Sequence, residues 1–251
     1  MTALDWSVLG EPLLAGLFVT ATHVVLGRRV LERGIIFIDL SIAQVAALGA
    51  VIASVLGWAG ESVAAHAAAA LAALAAAGLL AWTERYWPHV QEALIGCLYV
   101  VAASAALLVL ANHPHGAEQM QALLSGQILW VHGEHVWVTG ALYALVLAAW
   151  FGGLRRHTAG FYVLFAITVM ASVELVGVFL VFATLILPAL ASHGLPERRG
   201  LPLGYAVGAA GYALGLWLSV PLDLPAGPLI VCTLAALALL AAVVRRFVPG
   251  R

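Results

Sequence analysis

The sequence predicts an all-α polytopic membrane protein: about eight transmembrane helices plus one short re-entrant or return helix, in a single transmembrane domain over residues 1–251. Three observations carry this. The chain is 64% hydrophobic and only 9% charged, with a mean hydropathy of +1.05. Soluble domains carry roughly 25% charged residues, so a surface this poor in charge faces lipid. Its apolar residues also come in runs close to the roughly 20 that a helix needs to cross the hydrocarbon. Finally, its arginines recur only in alternate loops.

Taken in order, the apolar runs cover residues 13–26, 35–57, 63–82, 93–111, 136–154, 203–220 and 227–244. Asp5 and Glu11 precede the first run, with no basic leader or cleavage site, so that segment is expected to stay in the membrane. One further stretch, 161–192, is too long for one ordinary span and short for two. Gly, Pro and charge mark most breaks, and the only long loop, 112–135, is polar and rich in histidine.

Orientation follows from the arginines, which supply every cation in a chain without lysine. They lie at Arg28, Arg29 and Arg33, at Arg85, at Arg155 and Arg156, at Arg198 and Arg199, and at Arg245, Arg246 and Arg251. Loops 58–62, 112–135 and 221–226 have none. The positive-inside rule therefore expects the N-terminus outside and the C-terminus in the cytoplasm. All eleven comply only if 161–192 doubles back. A sharp turn near 172–177, where Glu174 sits, would give a spanning helix and a shorter return helix ending at Pro188. Broken helices of this kind are tolerated where they line a cavity rather than lipid.

Several functions are excluded. A net charge of -1 offers no basic face for nucleic acid. Cys97 and Cys232 sit in apolar runs without zinc-type spacing and read as buried thiols. No nucleophile elbow, His-Glu-x-x-His or P-loop is present, so the chain is not expected to be an enzyme. ATP can power it only through a partner.

Intramembrane ionisable residues are costly, by roughly 2.5–3.5 kcal/mol each, and usually face a bundle interior or a water path. Asp39, with Ser41 and Gln44, opens the second helix. The carboxylate either guards a cation path or pairs with Arg33 or a neighbouring helix, and Gln44 is either a ligand or an interhelical hydrogen bond. Glu174 either attracts a cation into an entry cavity or caps the return helix through its dipole. The outer loop holds His113, His115, His132 and His135, with Glu118 and Glu134, and His66 and Glu61 fall on the same expected side. Imidazole and carboxylate together suit zinc or manganese, although solvated loop histidines look the same in sequence. His23, inside the first helix, reads as a packed or interfacial histidine.

Four stretches, in order along the chain, resemble the permease subunit of zinc, manganese and iron ABC importers. They are RRVLERGIIFIDLSIAQVAALGA, EALIGCLYVVAASAALLVL, MQALLSGQILWV, and VELVGVFLVFATLILPALAS with LDLPAGPLIVCTLAALALL. Gly49, Gly126, Gly177, Pro188, Pro225, Gly227 and Pro228 fall in these blocks and read as structural. The resemblance implies a homodimer in the inner (plasma) membrane, driven by two cytoplasmic ABC ATPases. An extracytoplasmic metal-binding protein would deliver a divalent ion, zinc or manganese, as cargo, with no permanently bound cofactor. It also implies that segment 192–201 docks on the ATPase, with His193, Pro196, Glu197, Arg198 and Arg199 fitting a short polar helix.

The chain departs from this pattern twice. The family's second helix carries an Asp followed four residues later by His, and aligned from Gly49 those positions are Leu40 and Gln44. Asp39 is displaced by one residue, about 100° around the helix. The cytoplasmic loop LRRHTAG is also short where the family has a longer acidic one. The alternatives are an ion-gradient-driven secondary carrier, which needs an inverted repeat that the halves do not show, and a non-transporting membrane scaffold.

Overall fold

The structure is a computed structural model that describes residues 6–58, 62–110, 121, 124, 126, 128–131 and 133–247. Helices account for almost all of them: α1 (Trp6–Arg33), α2 (Ile38–Val55), α3 (Val63–Tyr86), α4 (Gln91–Leu110), α5 (Gly133–Phe151), α6 (Thr158–Val176), α7 (Val178–Ala191), α8 (Glu197–Leu222) and α9 (Ala226–Phe247). No strand occurs among the described residues. Eight of these helices are long and apolar enough to cross a membrane. The exception, α7, has 14 residues. At 1.5 Å per residue it is about 21 Å long, short of the roughly 30 Å hydrocarbon.

Where the doubling-back is expected, the helix breaks at a single residue. Gly177 separates α6 from α7 with φ 80 and ψ 162, a backbone state that only glycine enters readily. The return helix does not stop at Pro188, as the sequence suggested. It runs on to Ala191, where the Ser192 N–H bonds back to the Pro188 carbonyl. At the far end of α8, Asp223 takes the left-handed conformation that closes the helix, and Pro225 then precedes α9.

The chain forms two compact units. Unit 1 comprises residues 1–33, 125–144 and 175–251. Within it α7 packs against α1 and α9, and α8 packs against α1 and α9. The close approach of α8 rests on a file of small residues, Gly200, Gly204, Gly208, Gly211 and Gly215, all buried. A β-carbon on Gly208 would meet Thr20 of α1, and one on Gly211 would meet Leu234 of α9. Hydrogen bonds tie the same helices: Thr184 to Tyr212 at 2.8 Å, Tyr205 to the Ala21 carbonyl at 3.2 Å, and Thr233 to the Gly211 carbonyl at 2.8 Å. At the opposite end from Arg28, Gly126 lies against the backbone of Val176 and Gly177 with φ 67 and leaves no room for a side chain.

Unit 2 comprises residues 34–124 and 145–174. Here α2 packs between α3 and α4. Gly49 allows the α2–α3 contact, since a β-carbon there would lie 2.8 Å from Ala72 and 2.9 Å from the Ala68 carbonyl. The facing side of α3 is mostly alanine: Ala65, Ala69, Ala73, Ala76 and Ala77 are buried. Gln91 at the start of α4 donates to the Leu80 carbonyl at 2.9 Å and to the Tyr162 hydroxyl at 3.3 Å, joining α4 to α3 and α6.

One sequence expectation fails outright. Cys97 and Cys232 are both exposed rather than buried. They lie on outward faces of apolar helices, where in a bilayer the neighbour is lipid. An apolar run does not by itself say which face of its helix is covered. His23, by contrast, is fully packed, with its Nδ1 bonded to the Val19 carbonyl at 2.9 Å.

Candidate functional site

In unit 2, two of the sequence-predicted residues meet at one helix-end cluster. His66, in the first turns of α3, brings Nε2 to 3.7 Å from Oε2 of Glu174 in the last turn of α6. Both side chains are partly open, at 39% and 43% exposure. The His66 ring is fixed from behind, because Nδ1 lies 2.9 Å from the Ser62 carbonyl. Ser62 in turn starts α3, its hydroxyl accepting from the Ala65 N–H at 3.2 Å. Glu174 does not cap the return helix: the N-cap of α7 is Gly177, and no side chain bonds there. It stands instead at a helix C-terminus, where the dipole disfavours an anion by about 0.3–1 kcal/mol and a nearby cation relieves it.

Asp39 occupies a different environment in the same unit. It lies in the first turn of α2, where the dipole favours a carboxylate, and is 1% exposed. Neither of its oxygens accepts a hydrogen bond from the Arg33 side chain or from another side chain among the described residues, and the backbone N–H groups of Asp39 and Leu40 are its nearby donors. The nearby Phe37 N–H donates to Oε1 of Glu92 on α4 at 3.3 Å, while Glu92 Oε2 and Ser41 Oγ are likewise buried without a hydrogen bond. An uncompensated buried carboxylate costs several kcal/mol, an expense that a bound cation would offset. Gln44 is also buried, five residues on and therefore about 140° around α2 from Asp39, so the two side chains do not share a face. Glu92 is the residue that sequence reasoning passed over; its signal was a carboxylate in the first turn of an apolar helix.

His113, His115 and His132, with Glu61 and Glu118, lie outside the described residues. His135 and Glu134 are exposed in the first turn of α5 in unit 1. No group of three His, Cys, Asp or Glu side chains converges among the described residues.

The segment read as a docking element lies in unit 1. It is not a separate short helix. His193 and Pro196 stand in the turn after α7, and Glu197, Arg198 and Arg199 form the first turn of the long helix α8. All five are exposed. Two arginines from other helices hold the turn. Arg28 of α1 donates to the Ser192 carbonyl and hydroxyl, both at 3.1 Å, and to the Leu195 carbonyl at 2.9 Å. Arg245 of α9 donates to the carbonyls of Ala191 at 2.6 Å and His193 at 2.9 Å. Ala191 and Ser192 close α7, whose C-terminal end attracts cations, and His193 and Leu195 belong to the turn that follows. Arg28 and Arg245 thus build a fixed loop, with the exposed Arg198 and Arg199 left to face outward.

Eight helices of membrane-crossing length, a break at Gly177 and an exposed, braced polar turn define a polytopic membrane protein. The family model described as the ABC 3 transport family matches residues 5–159 and 153–245, and the chain belongs to that family. It is therefore an ABC-type permease. No curated protein sequence matches it significantly. Its fold is similar to that of PsaBC from Streptococcus pneumoniae, solved in complex with a Fab, with 19% identity over 94% of this chain and 91% of that one and a TM-score of 0.74. It is also similar to an inward-facing protein described as a metal-chelate type ABC transporter, with 17% identity, coverage of 93% and 85%, and a TM-score of 0.68.

Proposed function

We propose that this chain is the transmembrane permease of an importer for a divalent metal ion, zinc or manganese. It works as a homodimer in the inner (plasma) membrane. Partner ABC ATPases drive it, and an extracytoplasmic metal-binding protein delivers the ion. The arginine-bearing loops face the cytoplasm, so the N-terminus is outside and the C-terminus inside. ATP binding and hydrolysis by the partners switch the permease between outward- and inward-open states. Glu174 and His66 stand at the outer entry, and Asp39 gates the path further in, with Gln44 on another face of α2.

Family membership carries the reading, and the braced turn supports it. A permease without its own P-loop must receive force through a surface that is exposed yet rigidly joined to several helices. The segment from His193 to Arg199 has both properties, since Arg28 and Arg245 tie it to α1 and α9. Affinity purification of the tagged chain from its native membrane is expected to recover an ATPase subunit, and the double change Arg198→Glu and Arg199→Glu to release it. Undiminished recovery from that variant would remove the docking assignment. Deletion of the gene is expected to impair growth under zinc or manganese starvation, with restoration by the added metal. Unchanged metal content and growth would refute metal import.

A further inference from the structure

We infer that His66 and Glu174 together form a two-ligand capture site for a borderline divalent transition ion of the zinc class. This deepens the import reading and rests on it. The ring's chemistry is the first ground. The Ser62 carbonyl can only accept, so Nδ1, at 2.9 Å from it, carries the hydrogen. In the neutral imidazole the lone pair then sits on Nε2, the atom aimed at Glu174. A histidine whose second ring nitrogen donates to a backbone carbonyl is the usual arrangement behind a metal ligand.

Distance is the second ground. Two ligands bound at about 2.1 Å to one tetrahedral ion are about 3.4 Å apart. The 3.7 Å between Nε2 and Oε2 is close to that spacing and longer than a good hydrogen bond between the two groups. An ion fits between them with a small movement of either side chain.

The third ground is the support of each ligand. Ser62 is held by its own capping bond to Ala65, so the ring is positioned by the start of a helix rather than by a mobile loop. Glu174 ends a helix, where a cation is welcome. A nitrogen ligand with one carboxylate favours zinc over magnesium or calcium, which prefer oxygen. Two protein ligands leave the other positions to water or to groups of a delivering protein. Such a site takes up an ion and yields it again, as an entry point must.

The test uses the full chain in nanodiscs of zwitterionic lipid, titrated with zinc alone and read by equilibrium dialysis, with thermal unfolding as a check of fold. The wild-type chain is expected to hold one more zinc than either Glu174→Gln or His66→Gln, and the double variant to lose no more than a single one. Equal stoichiometry and affinity in all four proteins would overturn the site and leave the pair as a surface ion pair. So would a wild-type chain that binds no zinc. Cellular metal uptake is measured in parallel. Uptake lost on gene deletion, with zinc binding indifferent to both substitutions, sinks this inference while the import reading stands. Uptake unchanged on deletion sinks the import reading itself, even where the pair binds zinc.

Discussion

At the residue scale, a few side chains and one bare backbone position set what the chain can do. Asp39 illustrates the tension between stability and function. Replacing a buried ion pair by well-packed apolar residues of similar volume is often neutral or stabilising by about 1–4 kcal/mol, and a buried carboxylate without a charged partner has still less to lose. Asp39→Leu is therefore expected to raise the unfolding temperature of the purified chain and to depress metal uptake in cells. A variant that unfolds earlier and transports normally would show that Asp39 is a structural carboxylate. Gly177 is the opposite case. Any side chain there enters a region of backbone space that costs about 1–3 kcal/mol, so Gly177→Ala should lower thermal stability by that order. Gly126, pressed against the same turn, should be as sensitive, because a β-carbon has no space there.

At the element scale, small residues decide how closely helices approach. In lipid no hydrophobic force draws apolar helices together, so close packing and interhelical hydrogen bonds must do it. The glycine file of α8 allows this on two sides at once, against α1 and α9. Gly208→Leu and Gly211→Leu each overpack a filled contact and are expected to cost about 1–3 kcal/mol or more, read as lost yield of folded protein and earlier thermal unfolding. Gly78, with nothing near it, serves as the control that tolerates alanine. The braced turn after α7 belongs to the same scale. Removing either arginine frees carbonyls at the end of α7 or in the turn after it, and Arg28→Ala with Arg245→Ala should loosen the turn and weaken ATPase recovery while leaving the eight long helices formed.

At the scale of the whole molecule, particular helix ends meet within each unit. In unit 1 the ends bearing Arg28, Ser192 and Arg245 meet. In unit 2 the ends bearing His66 and Glu174 meet, and so do those bearing Phe37 and Glu92. Which of these ends faces the cytoplasm is expected from the arginines and is open to labelling. A cysteine introduced at position 198 should react with a membrane-impermeant reagent only in opened cells, and one at position 61 in intact cells. The reverse pattern would invert the proposed orientation.

The sequence by itself determined the fold class, the positions of the long helices and the break near Gly177. These follow from local physics: the length of an apolar run against the bilayer, the cost of moving arginine across it, and the freedom of one glycine. The glycine spacing in α8 took its meaning only from the structure, which shows those glycines against α1 and α9. Tertiary structure alone decided which polar groups share a place. It brought His66 beside Glu174 across more than a hundred residues of chain, left Asp39 buried without a side-chain partner among the described residues, and turned Cys97 and Cys232 outward. It also assigned Arg28 and Arg245 to bracing a turn, where sequence saw only topology signals. Contacts between distant segments depend on which face of each helix is covered, and periodicity fades as a guide to that where nearly every residue is apolar.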